Sequence, residues 1–90
     1  MNCIRIVVSG KVQGVAFRHF AKTNALELGI NGTARNLPND KVEIMAQGEK
    51  ERLEKFISIL KKGPERAVVE NISFEQADCA KKFEGFEIAG

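Results

Sequence analysis

The chain has 90 residues, 43% of them hydrophobic and 29% charged, and a net charge of +2. That length and balance describe one globular domain over residues 1–90 and exclude a disordered chain. A charge so near zero lacks the basic excess of a general nucleic-acid binder, and no apolar run approaches the roughly 20 residues that span a bilayer.

Residues 3–8 alternate with a period of two. Ile4, Ile6 and Val8 share one face and Cys3, Arg5 and Val7 the other, as in a strand. The N-terminus enters this strand without the basic, apolar and small-residue series of a signal peptide, so the expected compartment is the cytoplasm. A stretch with two glycines follows, Ser9-Gly10-Lys11-Val12-Gln13-Gly14-Val15-Ala16, and leads into a helix predicted over 17–28. Phe17, Phe20, Ala21 and Leu28 form its apolar stripe, and Gly29 is a natural stop. A second strand is predicted over 31–37, a turn at Pro38-Asn39-Asp40, and a third strand over 41–47 with Val42, Ile44 and Ala46 inward. Leu53, Phe56, Ile57 and Leu60 fall at the i, i+3, i+4, i+7 spacing of a second helix. Glu49 near its start and Lys61 and Lys62 near its end complement the helix dipole, and Gly63-Pro64 closes it. A fourth strand over 68–77 is expected to bury Val68, Ile72 and Phe74, and a short strand is expected over 86–88.

The order β-α-β-β-α-β with a tail points to an α+β, ferredoxin-like sandwich. Both helices cover one face of an antiparallel sheet, the crossovers are right-handed, and a short C-terminal strand is added. From Arg18 to Gly29 the first helix descends about 16 Å at 1.5 Å per residue. From Ile30 to Asn36 the second strand climbs back roughly 20 Å at 3.3 Å per residue. Arg18 and Asn36 are therefore expected at one rim of the sheet.

A strand that breaks into a glycine-punctuated loop and then a helix is suited to holding an anion. Free N–H groups line the loop and the first turn, and the helix dipole adds positive potential. The planar fork of Arg18 can grip two phosphate oxygens. Asn36, with one acceptor and two donors, can orient a water without taking its proton outright. A carboxamide is a poor base, so the substrate has to be reactive by itself. An acyl phosphate qualifies, because its carboxylate leaving group has a conjugate-acid pKa of about 4 and departs without protonation. Positioning and electrostatics can carry most of such a reaction.

Gly10-Lys11-Val12-Gln13-Gly14-Val15-Ala16-Phe17-Arg18 together with Gly32-Thr33-Ala34-Arg35-Asn36 resembles the acylphosphatases, and the similarity runs on through Lys41-Val42-Glu43, Gly48, Gly63-Pro64 and Gly85-Phe86-Glu87-Ile88. The resemblance implies a metal-free, cofactor-free hydrolase that splits the carboxyl–phosphate bond of a small acyl phosphate. It implies that Arg18 binds the phosphate and Asn36 positions the attacking water. The backbone of Gln13, Gly14, Val15, Ala16, Phe17 and Arg18 would form the phosphate cradle. A monomer with no nucleic-acid or membrane partner is expected. Thr33 stands where the family usually has a large aromatic, Asp40 where a turn glycine is usual, and Leu37 where some relatives carry a threonine beside the asparagine.

Other residues have plainer readings. His19 reads as a solvated helix residue, Lys11 as a solvated loop lysine, and Phe17, Phe20, Phe56 and Phe74 as core. Cys3 and Cys79 cannot complete a zinc site with one histidine. Free thiols suit a reducing compartment. Yet the ferredoxin-like order sets the start of the first strand beside the end of the fourth, which puts a disulfide within reach. Two competing functions share the fold. An RNA-recognition module needs stacking aromatics on the first and third strands, and neither strand has one. A regulatory domain that binds a phosphate ligand without turnover needs Arg18 but not Asn36.

Overall fold

The computed structural model describes residues 2–78 and 82–89. The elements follow the expected order: β1 (Asn2–Lys11), α1 (Phe17–Glu27), β2 (Asn31–Leu37), β3 (Lys41–Gly48), α2 (Lys50–Lys62), β4 (Val68–Gln76) and β5 (Phe86–Ala89). The strands lie in the order β4-β1-β3-β2-β5. β1, β2, β3 and β4 pair antiparallel, and β5 joins β2 in parallel, so the complete sheet is mixed.

The period-two pattern settles the faces. Ile4, Ile6 and Val8 of β1, Ala34 of β2, and Val42, Ile44 and Ala46 of β3 are buried in one cluster with residues from both helices. α1 contributes Phe17, Ala21 and Ala25; α2 contributes Leu53, Phe56, Ile57 and Leu60. Phe56 and Phe86 meet edge to face with ring centroids 6.3 Å apart, joining α2 to β5 across this core. Phe20 and Leu28 pack only partly buried against it, because the inward direction of α1 is taken by its alanines.

Two residues of β4 depart from expectation. Val68 is 55% and Phe74 56% exposed, whereas Ile72 is partly buried. β4 is an edge strand. Phe74 faces an open groove between β4 and α2, lined also by Ile4, Leu53 and Ile57, and Val68 pairs with Lys11 at the far end of the sheet.

β1 also runs further than its alternation suggests. It continues to Lys11 through a bulge, because Ser9 pairs with Asn71 but Gly10 pairs with Val69, leaving Glu70 as the extra residue. The Ala77 N–H donates to the Cys3 carbonyl at 2.9 Å, so the start of β1 does lie beside the end of β4. Cys79, the other half of the possible disulfide, lies outside the described residues.

Candidate active site

The loop between β1 and α1 is pinned at both ends. Val12 and Phe17 are each 1% exposed, so residues 13–16 form a short arch between two anchors in the core. Within the arch the sign of φ alternates. Gly14 (φ 71) and Ala16 (φ 59) are left-handed, and Gln13, Val15 and Phe17 are not. Successive residues of opposite hand turn their N–H groups toward a common point, the geometry of an anion-binding nest. Ala16 is also the N-cap of α1 and makes no side-chain capping bond, and the first turn holds no acidic residue. The first backbone bond of the helix is Phe20 N–H to the Ala16 carbonyl at 2.9 Å. The N–H groups before it have no acceptor inside the helix, and the dipole points positive potential at the arch.

Arg18 lies in the first turn, half-buried. Its Nη1 is 3.5 Å from the carbonyl oxygen of Ala89 in β5. Ala89 is the ladder partner of Arg35, the residue before Asn36. Asn36 in turn pairs with Val42, which pairs with Val8 on its other side, so Asn36 stands in a row three residues short of the end of β1, at the end of the sheet from which the arch leaves. It shares the face of Gly32 and Ala34, the helix face, and is exposed there. These registers bring the Arg18 guanidinium and Asn36 to the same end and the same face of the sheet. His19, by contrast, is exposed.

Gln13 has a side-chain engagement that its sequence context did not signal. Its Nε2 donates to the carbonyls of Leu37 (2.8 Å) and Lys41 (2.9 Å). These two residues are the last ladder pair before the β2–β3 turn. In that turn Asn39 (φ 65) and Asp40 (φ 57) are both left-handed, so Asp40 does hold the conformation for which a glycine is usual.

Thr33 lies on the other face. It pairs with Met45 and, in parallel register, with Glu87, one residue out of phase with Ala34. Residue 33 therefore points away from the face of Asn36. Leu37 is likewise on that open face, so its side chain does not flank the Asn36 amide. The open face also holds Glu43, 7% exposed, whose Oε2 accepts from Arg5 Nε at 2.6 Å and whose Oε1 accepts from Arg35 Nε at 2.7 Å. Burial pushes the Glu43 carboxyl upward, but the hydrogen bonds and charges of Arg35 and Arg5 outweigh it and hold the group below the usual carboxylate range. An ion-pair network occupies the surface on which an RNA-recognition module would carry aromatics.

Comparison with known proteins follows the same lines. The sequence profile named Acylphosphatase matches residues 4–88. The chain is 45% identical over 89 residues to an acylphosphatase of Archaeoglobus fulgidus, covering 99% of each chain. The crystal structure of acylphosphatase from Bacillus subtilis superposes with a TM-score of 0.95 at 32% identity, over 100% of both chains. An acylphosphatase from Coxiella burnetii does so with a TM-score of 0.91 at 35% identity, over 98% of this chain and 92% of that one. A motif at the loop, a ferredoxin-like sheet that carries it, and near-complete overlap with these relatives agree, and the chain belongs to the acylphosphatase family.

Proposed function

We propose that this acylphosphatase cleaves small acyl phosphates by direct attack of water on phosphorus, with Arg18 and the arch holding the phosphoryl group and Asn36 aligning the water. The observation that carries the reading is the alternation of φ over residues 13–17 beside an uncapped helix start. Such an arch offers N–H donors to phosphoryl oxygens, and Arg18 adds a charged fork from the next turn. As the water oxygen approaches phosphorus, the bridging P–O bond lengthens and breaks, and the carboxylate leaves with the electron pair. The water proton passes to solvent or to the product phosphate. Charge builds on the equatorial oxygens, where preorganised donors are most effective. The Asn36 amide accepts from the water and fixes its approach in line with the departing oxygen. The side chain of Thr33 takes no part, since its face is opposite. The enzyme is taken to work as a monomer in the cytoplasm, independent of metal, nucleic acid and membrane.

The test is orthophosphate release from a simple acyl phosphate in EDTA. Arg18→Ala is expected to lose both inorganic-phosphate binding and turnover. Asn36→Ala is expected to lose turnover by about 10²-fold or more while keeping phosphate binding, because the cradle survives and the water is misplaced. Full activity in the Asn36 variant removes the division of labour. A wild-type chain that binds phosphate but releases none from the substrate is instead a ligand-binding domain.

A further inference from the structure

We propose that Gln13 is a positioning residue, whose side chain sets the distance between the phosphate-holding arch and Asn36. The inference rests on the reading of Arg18 and Asn36 given above. It goes beyond the backbone part of Gln13 in the cradle.

The motive lies in how few described residues besides Gln13 brace the strand end that carries Asn36. The parallel ladder between β5 and β2 reaches Arg35, paired with Ala89, as its last described pair. Asn36 and Leu37 have described ladder partners on one side only, Val42 and Lys41 of β3. Beyond Leu37 the chain enters a turn with two successive left-handed non-glycine residues, Asn39 and Asp40, a conformation that costs energy for L-residues. A hairpin end with one neighbour among the described residues and a strained tip has a soft direction of motion, toward or away from the arch. Gln13 spans that direction. One amide nitrogen gives a hydrogen to each side of the hairpin, 2.8 Å to Leu37 and 2.9 Å to Lys41. Its backbone is the first residue of the alternating arch, and the preceding residue, Val12, is fixed in the core. The side chain therefore ties the water-aligning residue to the phosphate cradle through one covalent unit. A displacement of about 1 Å in such a site costs on the order of 10² in rate.

The role needs a side chain that donates twice at the observed distances, as the two hydrogens of the Gln13 amide do. A carboxylate of the same shape is acceptor-only and would face two carbonyl oxygens. The charged groups around the position are Lys11 on β1, Asp40 in the turn and Glu70 on β4, which line the same shallow pocket of about 370 Å³ as Gln13.

The experiment compares wild type, Gln13→Ala, Gln13→Glu, Asn36→Ala and the Gln13→Ala/Asn36→Ala double variant. Each is assayed for acyl-phosphate turnover, for inhibition by inorganic phosphate, and for its melting curve. Gln13→Ala is expected to lower kcat at least about 10-fold while leaving the inhibition constant of phosphate within about two-fold, since the arch stays anchored at Val12 and Phe17. Gln13→Glu is expected to lose more at neutral pH. Its kcat relative to wild type is then expected to rise as pH falls toward the glutamic-acid pKa of about 4.3, where the protonated group regains one donor. The same ratio for Gln13→Ala stays flat. The double variant is expected to match Asn36→Ala, because a residue acting through Asn36 has nothing left to position. An unchanged kcat in Gln13→Ala, or multiplied losses in the double variant, overturns the proposal. A flat pH ratio in Gln13→Glu does so too. Full activity in Asn36→Ala is a separate outcome, since it removes the reading of the site on which the inference stands.

Discussion

Two glycines in the same motif hold different kinds of constraint, and their substitutions separate shape from space. Gly10 (φ 125) sits at the bulge, where a Cβ would meet the Val68 carbonyl oxygen at 2.2 Å and the Glu70 nitrogen at 2.8 Å. Both are backbone atoms of β4 and cannot swing aside. Gly14 (φ 71) has nothing within 4 Å of a built Cβ, so a side chain there meets only the cost of the left-handed conformation. Gly10→Ala is therefore expected to destabilise the fold by about 3 kcal/mol and Gly14→Ala by about 1 kcal/mol. Urea unfolding of both variants checks the order, and equal losses would mean that β4 yields at the bulge. Ala16 already tolerates the same left-handed region at the start of α1 (φ 59) without glycine's freedom. Strain of that kind persists where the surroundings over-determine it, and here the anchors are Val12 and Phe17 on either side. The part of the candidate site that depends on backbone shape leaves its mark on these residues. Glycine spacing, a helix start with no acidic residue, and Arg18 in the first turn are all visible in the letters. The amide of Gln13 was not, since its acceptors lie 24 and 28 residues away and are main-chain atoms with no side-chain signature.

The β2–β3 hairpin is the element that carries Asn36, and its tip is not optimised. Asn39 and Asp40 both occupy the left-handed region, and Asp40 is exposed. Asparagine and aspartate accept this conformation better than other non-glycine residues but less readily than glycine. Asp40→Gly is expected to raise stability by about 0.5–1 kcal/mol and to leave turnover within about two-fold, because the register from Asn36 to Val42 does not change. Thermal unfolding and phosphate release measure the two effects, and a lower melting temperature would mean that the aspartate side chain stabilises the turn. The strand periodicities gave the faces of β1 and β3 correctly, because each of these strands has a neighbour on both sides and one face sealed by helices. They misplaced Val68 and Phe74 on β4. Apolar residues on an edge strand look the same in sequence whether a helix covers them or a groove lies open beside them. Topology decides that, and only the packed position of α2 reveals it. The extension of β1 to Lys11 was hidden for another reason. The extra residue of the bulge, Glu70, belongs to β4, so β1 keeps its alternation, but its position two residues after Val8 is Gly10, which has no side chain to mark a face.

At the scale of the molecule, one buried carboxylate links much of the sheet on the face away from the helices. Glu43 on β3 is held by Arg35 of β2 on one side and Arg5 of β1 on the other, and Arg5 Nη1 comes within 3.9 Å of Glu75 on β4. Four adjacent strands are joined through this chain of charges. The outer link to Glu75 is long and exposed and contributes little. The two inner links matter more, because Glu43 is buried and both of its oxygens accept short, charge-assisted bonds. The folded protein holds the Glu43 carboxyl below its unfolded value of 4.5. Below that value the unfolded chain takes up the proton first. The stabilisation is therefore complete above about pH 5 and is lost as the pH falls through the lower, folded-state value. Glu43→Gln is expected to cost about 2 kcal/mol at pH 7, where it trades charged acceptors for neutral ones, takes from Arg35 its short ion pair and leaves Arg5 only the long contact to Glu75. Urea titrations at pH 7, 5, 4 and 3 give the decisive comparison. The gap between wild type and Glu43→Gln should narrow steadily below pH 5, because acid removes from the wild type the same charge that the mutation removes at every pH. A gap that stays constant down to pH 3 would mean that the carboxylate remains charged throughout or stabilises by packing alone. A catalytic loss at pH 7 larger than the loss of folded protein would extend the role of the network to Arg35, the residue that stands between this charged face and Asn36 on the other.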